Sequence, residues 1–259
     1  MRRFFYDSDI QDTEDRVLIN GAEAHHIRSV LRMQCGDAVE LFDGTGSVVA
    51  GRIEQICSGQ VVFQVMTRHM EPETGIPLTL AQGVLKGKKM DLLIQKATEL
   101  GVNAFVPVIT RYCAGKTGER QQLKRWTRIM LEACKQCRRP VPMHISPPTP
   151  LQDLFFPEGC NKVMPWEGEQ NCSFSAVRLD CGRPVVLLIG PEGGFHADEV
   201  EYALELGFMT FSLGPRILRA ETAALSAVTL IQHTVHNLCA FPGQPAAKNS
   251  TVNNTESGR

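Results

Sequence analysis

Up to about residue 70 the apolar positions come in short runs: Arg16-Val17-Leu18-Ile19, Val39-Glu40-Leu41-Phe42, Ser47-Val48-Val49-Ala50 and Val61 to Val65. Asp43-Gly44-Thr45-Gly46 separates the second run from the third, and such a Gly-containing turn between apolar runs signals a hairpin. One helical pattern interrupts them. Asn20 and Glu23 have capping-box spacing, and Ala24, Ile27 and Leu31 follow at i, i+3, i+7 on one face. His25, Arg28 and Arg32 fall on another. Several short strands with one helix predict a compact β-barrel over residues 1–70.

Beyond that point the period changes. Met70 to Pro77 is polar, with two Pro and one Gly, and reads as a linker. Strands are then predicted over Leu78–Gln82, Ala104–Val108, Lys162–Met164, Val185–Ile189 and Met209–Leu213. Helices are predicted over Lys89–Leu100, which Gly101 stops, and over Leu123–Gln136, Asp198–Leu206 and Glu221–Leu238. Such alternation implies an α/β domain with a parallel sheet, here residues 71–240. Residues 241–259 are Pro, Gly, Asn, Ser and Thr with few apolar side chains, a composition expected of a disordered tail.

The chain is 43% hydrophobic and 21% charged, ordinary for a globular protein. No run of about 18 apolar residues is present, so no membrane span is expected, and the N-terminus lacks the apolar core of a signal peptide. Nine scattered cysteines suggest reduced thiols in cytoplasm, not a disulfide framework. The one C-x-x-C, Cys134 to Cys137, has no second pair to complete a zinc site, and it falls late in a helical stretch, away from the place of a redox motif. No metal is expected.

The net charge of −1 conceals two opposed segments. Arg111 to Arg139 holds nine Lys/Arg and two Asp/Glu, while Asp153 to Glu205 holds ten Asp/Glu and three Lys/Arg. A basic segment is either a solvated helix face or a footprint for phosphates. Lys86, Lys88 and Lys89 cluster at a helix start, where positive charge opposes the helix dipole; an RNA phosphate would offset that conflict.

The chemistry concentrates late in the chain. Leu187-Leu188-Ile189 runs into Gly190-Pro191-Glu192-Gly193-Gly194, and a second apolar strand runs into Leu213-Gly214-Pro215-Arg216-Ile217-Leu218-Arg219-Ala220-Glu221-Thr222. Glycine permits positive φ and close approach of a ligand to backbone. Each turn taken singly reads equally as a tight turn before a helix; together they suggest two loops converging on one ligand. Neither is a G-x-G-x-x-G or a P-loop.

These two motifs, with Arg3-Phe4-Phe5, His25-His26, Lys86-Gly87-Lys88-Lys89-Met90 and Gln95 to Gly101, resemble the SPOUT methyltransferases. The likeness is greatest to the group that methylates N3 of a uridine in small-subunit ribosomal RNA (the RsmE group). The resemblance spans nearly the whole chain. It implies a PUA-like β-barrel RNA-binding module, then an α/β SPOUT methyltransferase domain with a C-terminal trefoil knot whose loops hold S-adenosylmethionine. Backbone around Leu188, Gly190, Leu213, Gly214, Ile217 and Leu218, with Thr222 and a third loop beginning at Met164, would form that pocket. Where the family usually has Ser as a helix cap this chain has His196, a poorer cap. The resemblance also implies a homodimer acting on 16S rRNA.

Arg219 and Glu221 are the candidate catalytic residues. Arg219 would stabilise a uracil anion, and Glu221 would orient Arg219 or accept the N3 proton; the alternative is a structural Arg–Glu pair. The candidate RNA contacts are Arg2, Arg3, His25, Arg28, Arg32, Lys86, Lys88, Lys89, Arg111 and Arg139. Two other functions compete. A ribose 2′-O-methyltransferase would carry an Asn/Arg-rich first helix, which Lys88 to Leu100 lacks. An RNA-binding assembly factor without catalysis is the other.

Overall fold

The computed structural model describes residues 1–6, 12–113 and 119–238; the expected tail, 241–259, lies outside the described residues. Strands β1 (Arg2–Phe5), β2 (Arg16–Asn20), β3 (Ala38–Phe42), β4 (Ser47–Ile56) and β5 (Gln60–Met70) form one sheet in the order β1-β3-β4-β5-β2. β1 runs parallel to β3 and the other pairs are antiparallel. Alternation places Val17, Ile19, Val39, Leu41, Val61 and Phe63 in a core of their own with Ile27. Register shifts at Ala50/Gly51 and Ile53/Gln55 bend β4. A Cβ on Gly51 would lie 2.2 Å from the Gln64 carbonyl oxygen, so a larger residue there would separate the strands.

The expected helix is short, α1 (Gly21–His25), and continues as a wider turn through Val30. The expected capping box does not form. Asn20 makes no side-chain cap, and the Glu23 carboxylate pairs instead with Lys135 of the second helical layer. A charged partner brought by tertiary packing outcompetes a local backbone donor.

The second sheet contains β6 (Leu78–Gly83), β7 (Ala104–Ile109), β8 (His144–Ile145), β10 (Asn161–Pro165), β11 (Val185–Ile189) and β12 (Met209–Phe211), in the order β12-β10-β11-β6-β7-β8; β9 (Thr149–Pro150) also pairs with β7. All its pairs are parallel. Parallel sheets are covered on both faces. Helices α2 (Lys89–Glu99), α3 (Glu119–Cys137) and α5 (Ala220–Thr234) bury one face, and α4 (Ala197–Glu205) the other. Successive β11 side chains alternate between the two cores: Leu187 and Ile189 under α5, Val186 and Leu188 under α4. That is why the strand is apolar at every position.

The predicted linker is fastened at several points. β5 absorbs Met70, Glu73 pairs with Arg139, and the Asn237 amide holds both backbone groups of Ile76 at 2.9 and 2.8 Å. α5 ends at Thr234, short of the predicted Leu238, because His236 turns to φ +63° and releases Asn237 for that role. α3 begins at Glu119, ahead of the predicted Leu123. Two-residue strands such as β8 and β9 are too short to leave a period in the sequence.

Candidate active site

Strands β10, β11 and β12 point their C-terminal ends the same way, and the loops that follow them meet there. Open parallel sheets bind ligands at that edge. Two adjoining clefts result. One, of about 540 Å³, lies between the loops following β10 and β12. The other, of about 320 Å³, lies between the loops following β11 and β12, with Lys89 at its side. Pro165, Glu167, Ile217, Leu218 and Ala223 line both, so the Ile217–Leu218 turn divides one continuous depression. The size suits a small-molecule ligand.

Glycines shape the walls. Gly214 adopts φ +112°. Gly194 adopts φ +70°, and a Cβ there would lie 2.5 Å from Glu167 Oε1. Beneath them the end of β6 approaches the Gly190–Pro191 backbone: a Cβ on Gly83 would stand 2.5 Å from Pro191 N. The fully buried Gln82 amide donates to the Gly190 carbonyl at 3.0 Å and fixes that loop.

The acidic segment is used here. Glu169 accepts from Thr210 Oγ1 (2.5 Å) and from the N–H groups of Asn171 (2.8 Å) and Cys172 (3.0 Å), which order the loop after β10. The Thr210 hydroxyl and then those N–H groups hold its carboxyl below the usual range. Glu192 Oε1 accepts from Lys86 N–H at 3.1 Å and lies 3.1 Å from Lys89 Nζ. Burial pushes the Glu192 carboxyl up, but the Lys86 N–H and the Lys89 ammonium together outweigh it and hold it below the usual range. The contact with Glu192, and secondarily Glu221, raises Lys89 above an ordinary lysine.

Arg219 and Glu221, for which a structural ion pair is the alternative reading, do not pair. Glu221 Oε2, buried from solvent, lies 3.4 Å from Lys89 Nζ without a well-angled hydrogen bond. Arg219 lines the smaller cleft, exposed, and has no ion-pair partner among the described residues. Lys89, expected to face RNA, is turned into this cleft between two carboxylates. Glu192 thus offsets the dipole conflict at Lys89, while Lys86 and Lys88 stay exposed.

His196 also departs from expectation. Its Nδ1 accepts from Asp198 N–H at 3.3 Å, and Glu199 Oε2 accepts from His196 N–H at 2.9 Å, a complete reciprocal cap on α4. Neutral imidazole has an acceptor nitrogen, which suffices.

Of the residues expected to hold cofactor, Gly190, Leu213, Gly214, Ile217 and Leu218 line the depression. Met164 and Leu188 do not: both are fully buried in the core under α4, and their successors Pro165 and Ile189 reach the cleft. Thr222 is exposed outside both clefts, where Ala223 is the lining residue. Trp166, Glu167 and Gln170 to Ser173 also belong to the wall, and no motif in the sequence marks them. Their only sequence signal is position, just after a predicted strand.

Among the expected RNA contacts, Arg2, His25, Arg28, Arg32, Lys86, Lys88 and Arg111 are exposed. Arg111 also reaches the His196 ring at 3.0 Å. Arg3 and Arg139 are corrections. Arg3 is buried against Glu40 (3.1 Å) and over the Phe42 ring (4.9 Å). Arg139 donates to the Val102 carbonyl at 2.6 Å and the Thr98 carbonyl at 3.3 Å, and pairs with Glu73. Neither guanidinium is free for a phosphate.

Cys134 is buried, its thiol 3.7 Å from Met130 Sδ, and burial pushes it up to about 12. Among the described residues no three His, Cys, Asp or Glu gather as a metal site, and no helix is long and apolar enough to cross a membrane.

Comparison with known proteins agrees with this architecture. The RNA methyltransferase domain family matches residues 72–232, and the RNA methyltransferase PUA domain family matches residues 19–66. Ribosomal RNA small subunit methyltransferase E of Bacillus subtilis is 33% identical over 247 residues, covering 90% of this chain and 96% of that protein. The Rickettsia conorii protein of the same name is 30% identical, covering 89% of this chain and 94% of its own. Among solved structures, ribosomal RNA small subunit methyltransferase E from Neisseria gonorrhoeae bound to S-adenosyl methionine superposes with a TM-score of 0.81 at 28% identity, covering 90% of this chain and 98% of that one. A methyltransferase from Legionella pneumophila with bound SAM gives 0.80 at 29% identity, covering 90% and 97%. The fold is thus that of a SPOUT methyltransferase preceded by a PUA domain, and the chain belongs to the ribosomal RNA small subunit methyltransferase E family.

Proposed function

We propose that the protein transfers a methyl group from S-adenosylmethionine to N3 of a uridine in 16S rRNA. The observation that carries this reading is the single depression built by both glycine motifs and the loop after β10. Its lining suits the cofactor: open backbone at Gly214, apolar Leu213, Ile217 and Leu218, and carboxylates at Glu167 and Glu192. Backbone groups with apolar faces hold an adenine without charge. The S-adenosylmethionine-bound relatives of this fold support the same use.

Bound there, the cofactor supplies an electrophilic sulfonium methyl. The residues of this chain then have two tasks. They align N3 with that carbon, worth about 7–11 kcal/mol in well-oriented reactions, and they help N3 lose its proton. Arg219, unpaired and at the cleft, stabilises the developing charge on a uracil oxygen, a role typically worth about 10²–10³-fold. Glu221 accepts the proton, contributing about 10²–10⁴-fold; with Lys89 as its neighbour it no longer serves as the orienting partner of Arg219.

Residues 1–70 act as the RNA-binding module through Arg2, His25, Arg28 and Arg32, and residues 71–240 as the catalytic domain, with a knotted C-terminal segment. The passage of the chain from edge strand β12 back to α5 over β6 and β11 supports that threading. The working form is a cytoplasmic homodimer in which the partner's N-terminal arginines complete the substrate site. Nucleoside mass spectrometry of 16S rRNA from cells with and without the protein tests the reaction. Loss of 3-methyluridine without it is expected; an unchanged profile overturns the reading. Single-turnover methylation by Glu221→Gln across pH tests the base, and an unchanged rate removes it.

A further inference from the structure

Folding divides the basic segment into two halves with different fates. Late in α3, Lys135 pairs with Glu23 of α1, and just past the helix end Arg138 pairs with Glu40 of β3 (2.8 Å), so these charges dock residues of the N-terminal domain. In the first half, Lys124 and Arg128 are exposed and have no ion-pair partner among the described residues, while Arg125 pairs with Asp91. Lys124 and Arg128 are four residues apart and therefore share a face, with about 5–6 Å between neighbouring Cβ positions.

That face borders a groove of about 630 Å³ along Gln121 to Arg128. A second cleft of about 290 Å³ adjoins it, between α3 and the Lys86-Gly87-Lys88 turn. Gln122 and Arg125 line both, so the two are continuous. Among the described residues the one carboxylate lining either is Asp91, which pairs with Arg125. The far end reaches the cofactor cleft, because Lys86 N–H is held by Glu192. In a chain of net charge −1 this is a local concentration of unpaired cations beside the candidate active site.

We infer that the first half of α3 and the Lys86–Lys88 turn form a track for the phosphodiester backbone of the RNA substrate, leading to the cofactor cleft. The inference rests on the RNA methyltransferase reading and extends it to Lys124 and Arg128. Charge complementarity selects the occupant: a row of ammonium and guanidinium groups without counter-ions suits a strand of phosphates, and binding releases their condensed cations.

The test compares wild type with Lys124→Gln/Arg128→Gln by measuring 16S rRNA binding over a range of salt concentrations. Two lost phosphate contacts are expected to reduce the slope of log affinity against log salt by about 1.4, taking about 0.7 per contact on single strands. Calorimetric affinity for S-adenosylmethionine and the melting temperature are expected to stay unchanged, since neither side chain supports the fold or lines the cofactor cleft. An unchanged slope in the folded double variant overturns the track. Methyl transfer by wild type is read separately: its absence removes the enzymatic reading, while the slope still judges the surface.

Discussion

The Lys89 ammonium lies 3.1 Å from Glu192 Oε1 and so joins the first turn of α2 to the loop that follows β11. It also lies 3.4 Å from Glu221 at the start of α5. One side chain thus holds together three segments that are far apart in sequence, all at the candidate methyl-transfer site. Lys89→Met leaves two carboxylates without their cation and frees Glu221 to turn toward Arg219. Misplacement of this kind is expected to lower the single-turnover rate on the order of 10- to 100-fold. Lys89→Arg keeps the charge and is expected to retain more of the rate. Equal loss in both variants would count against the charge as the operative feature.

The Gly83 backbone packs against Pro191, and Gly83→Ala brings a Cβ within 2.5 Å of Pro191 N. Neither neighbour can yield as a flexible side chain could. The substitution is expected to cost about 1–3 kcal/mol of stability and to displace the Gly190 carbonyl from Gln82. Denaturant unfolding and cofactor calorimetry measure the two effects; a variant with wild-type values in both would show that this approach is not tight.

The pH dependence follows from Glu192. Its folded carboxyl titrates below the ordinary Glu range of about 4.3, held down by Lys86 N–H and Lys89 against the upward push of burial. A depressed carboxyl stabilises the fold fully above the unfolded value, and the contribution is lost as pH falls through the folded value. The difference in melting temperature between wild type and Glu192→Gln should therefore be largest near neutrality and shrink in acid below about pH 4. A difference independent of pH would assign the effect to packing.

The thiols are expected to divide by burial. Cys35, Cys57 and Cys181 are exposed, whereas Cys134 is buried with its thiol pushed up to about 12. Thiolates, not thiols, react with alkylating agents. Iodoacetamide near neutral pH should label the exposed three in the native protein and reach Cys134 only after unfolding. Early labelling of Cys134 would mean that α3 opens readily from the sheet.

Much of this protein can be read from local pattern. The apolar runs at period two, the unbroken run Val185–Ile189 and the i, i+3, i+7 faces mark most strands and helices, because burial on one face or two leaves its own repeat in the chain. The paired glycine motifs mark the candidate cofactor loops, because positive φ and close backbone approach demand that residue. Electrostatic partnership leaves no such repeat. Lys89 and Glu192 are separated by most of the catalytic domain, and nothing near either names the other. Arg3 and Arg139 look like surface cations until packing turns them inward to Glu40 and to the end of α2. Glu23 has capping-box spacing, yet a lysine on α3 takes it. Met164 and Leu188 stand at strand ends as cofactor residues would, and the alternation of a doubly covered sheet sends their side chains into the core. Residue type and spacing determined which segments fold and where a ligand could approach; only the packing of distant segments decided which charges are neutralised and which remain open to a substrate, since a charge chooses the nearest partner in space.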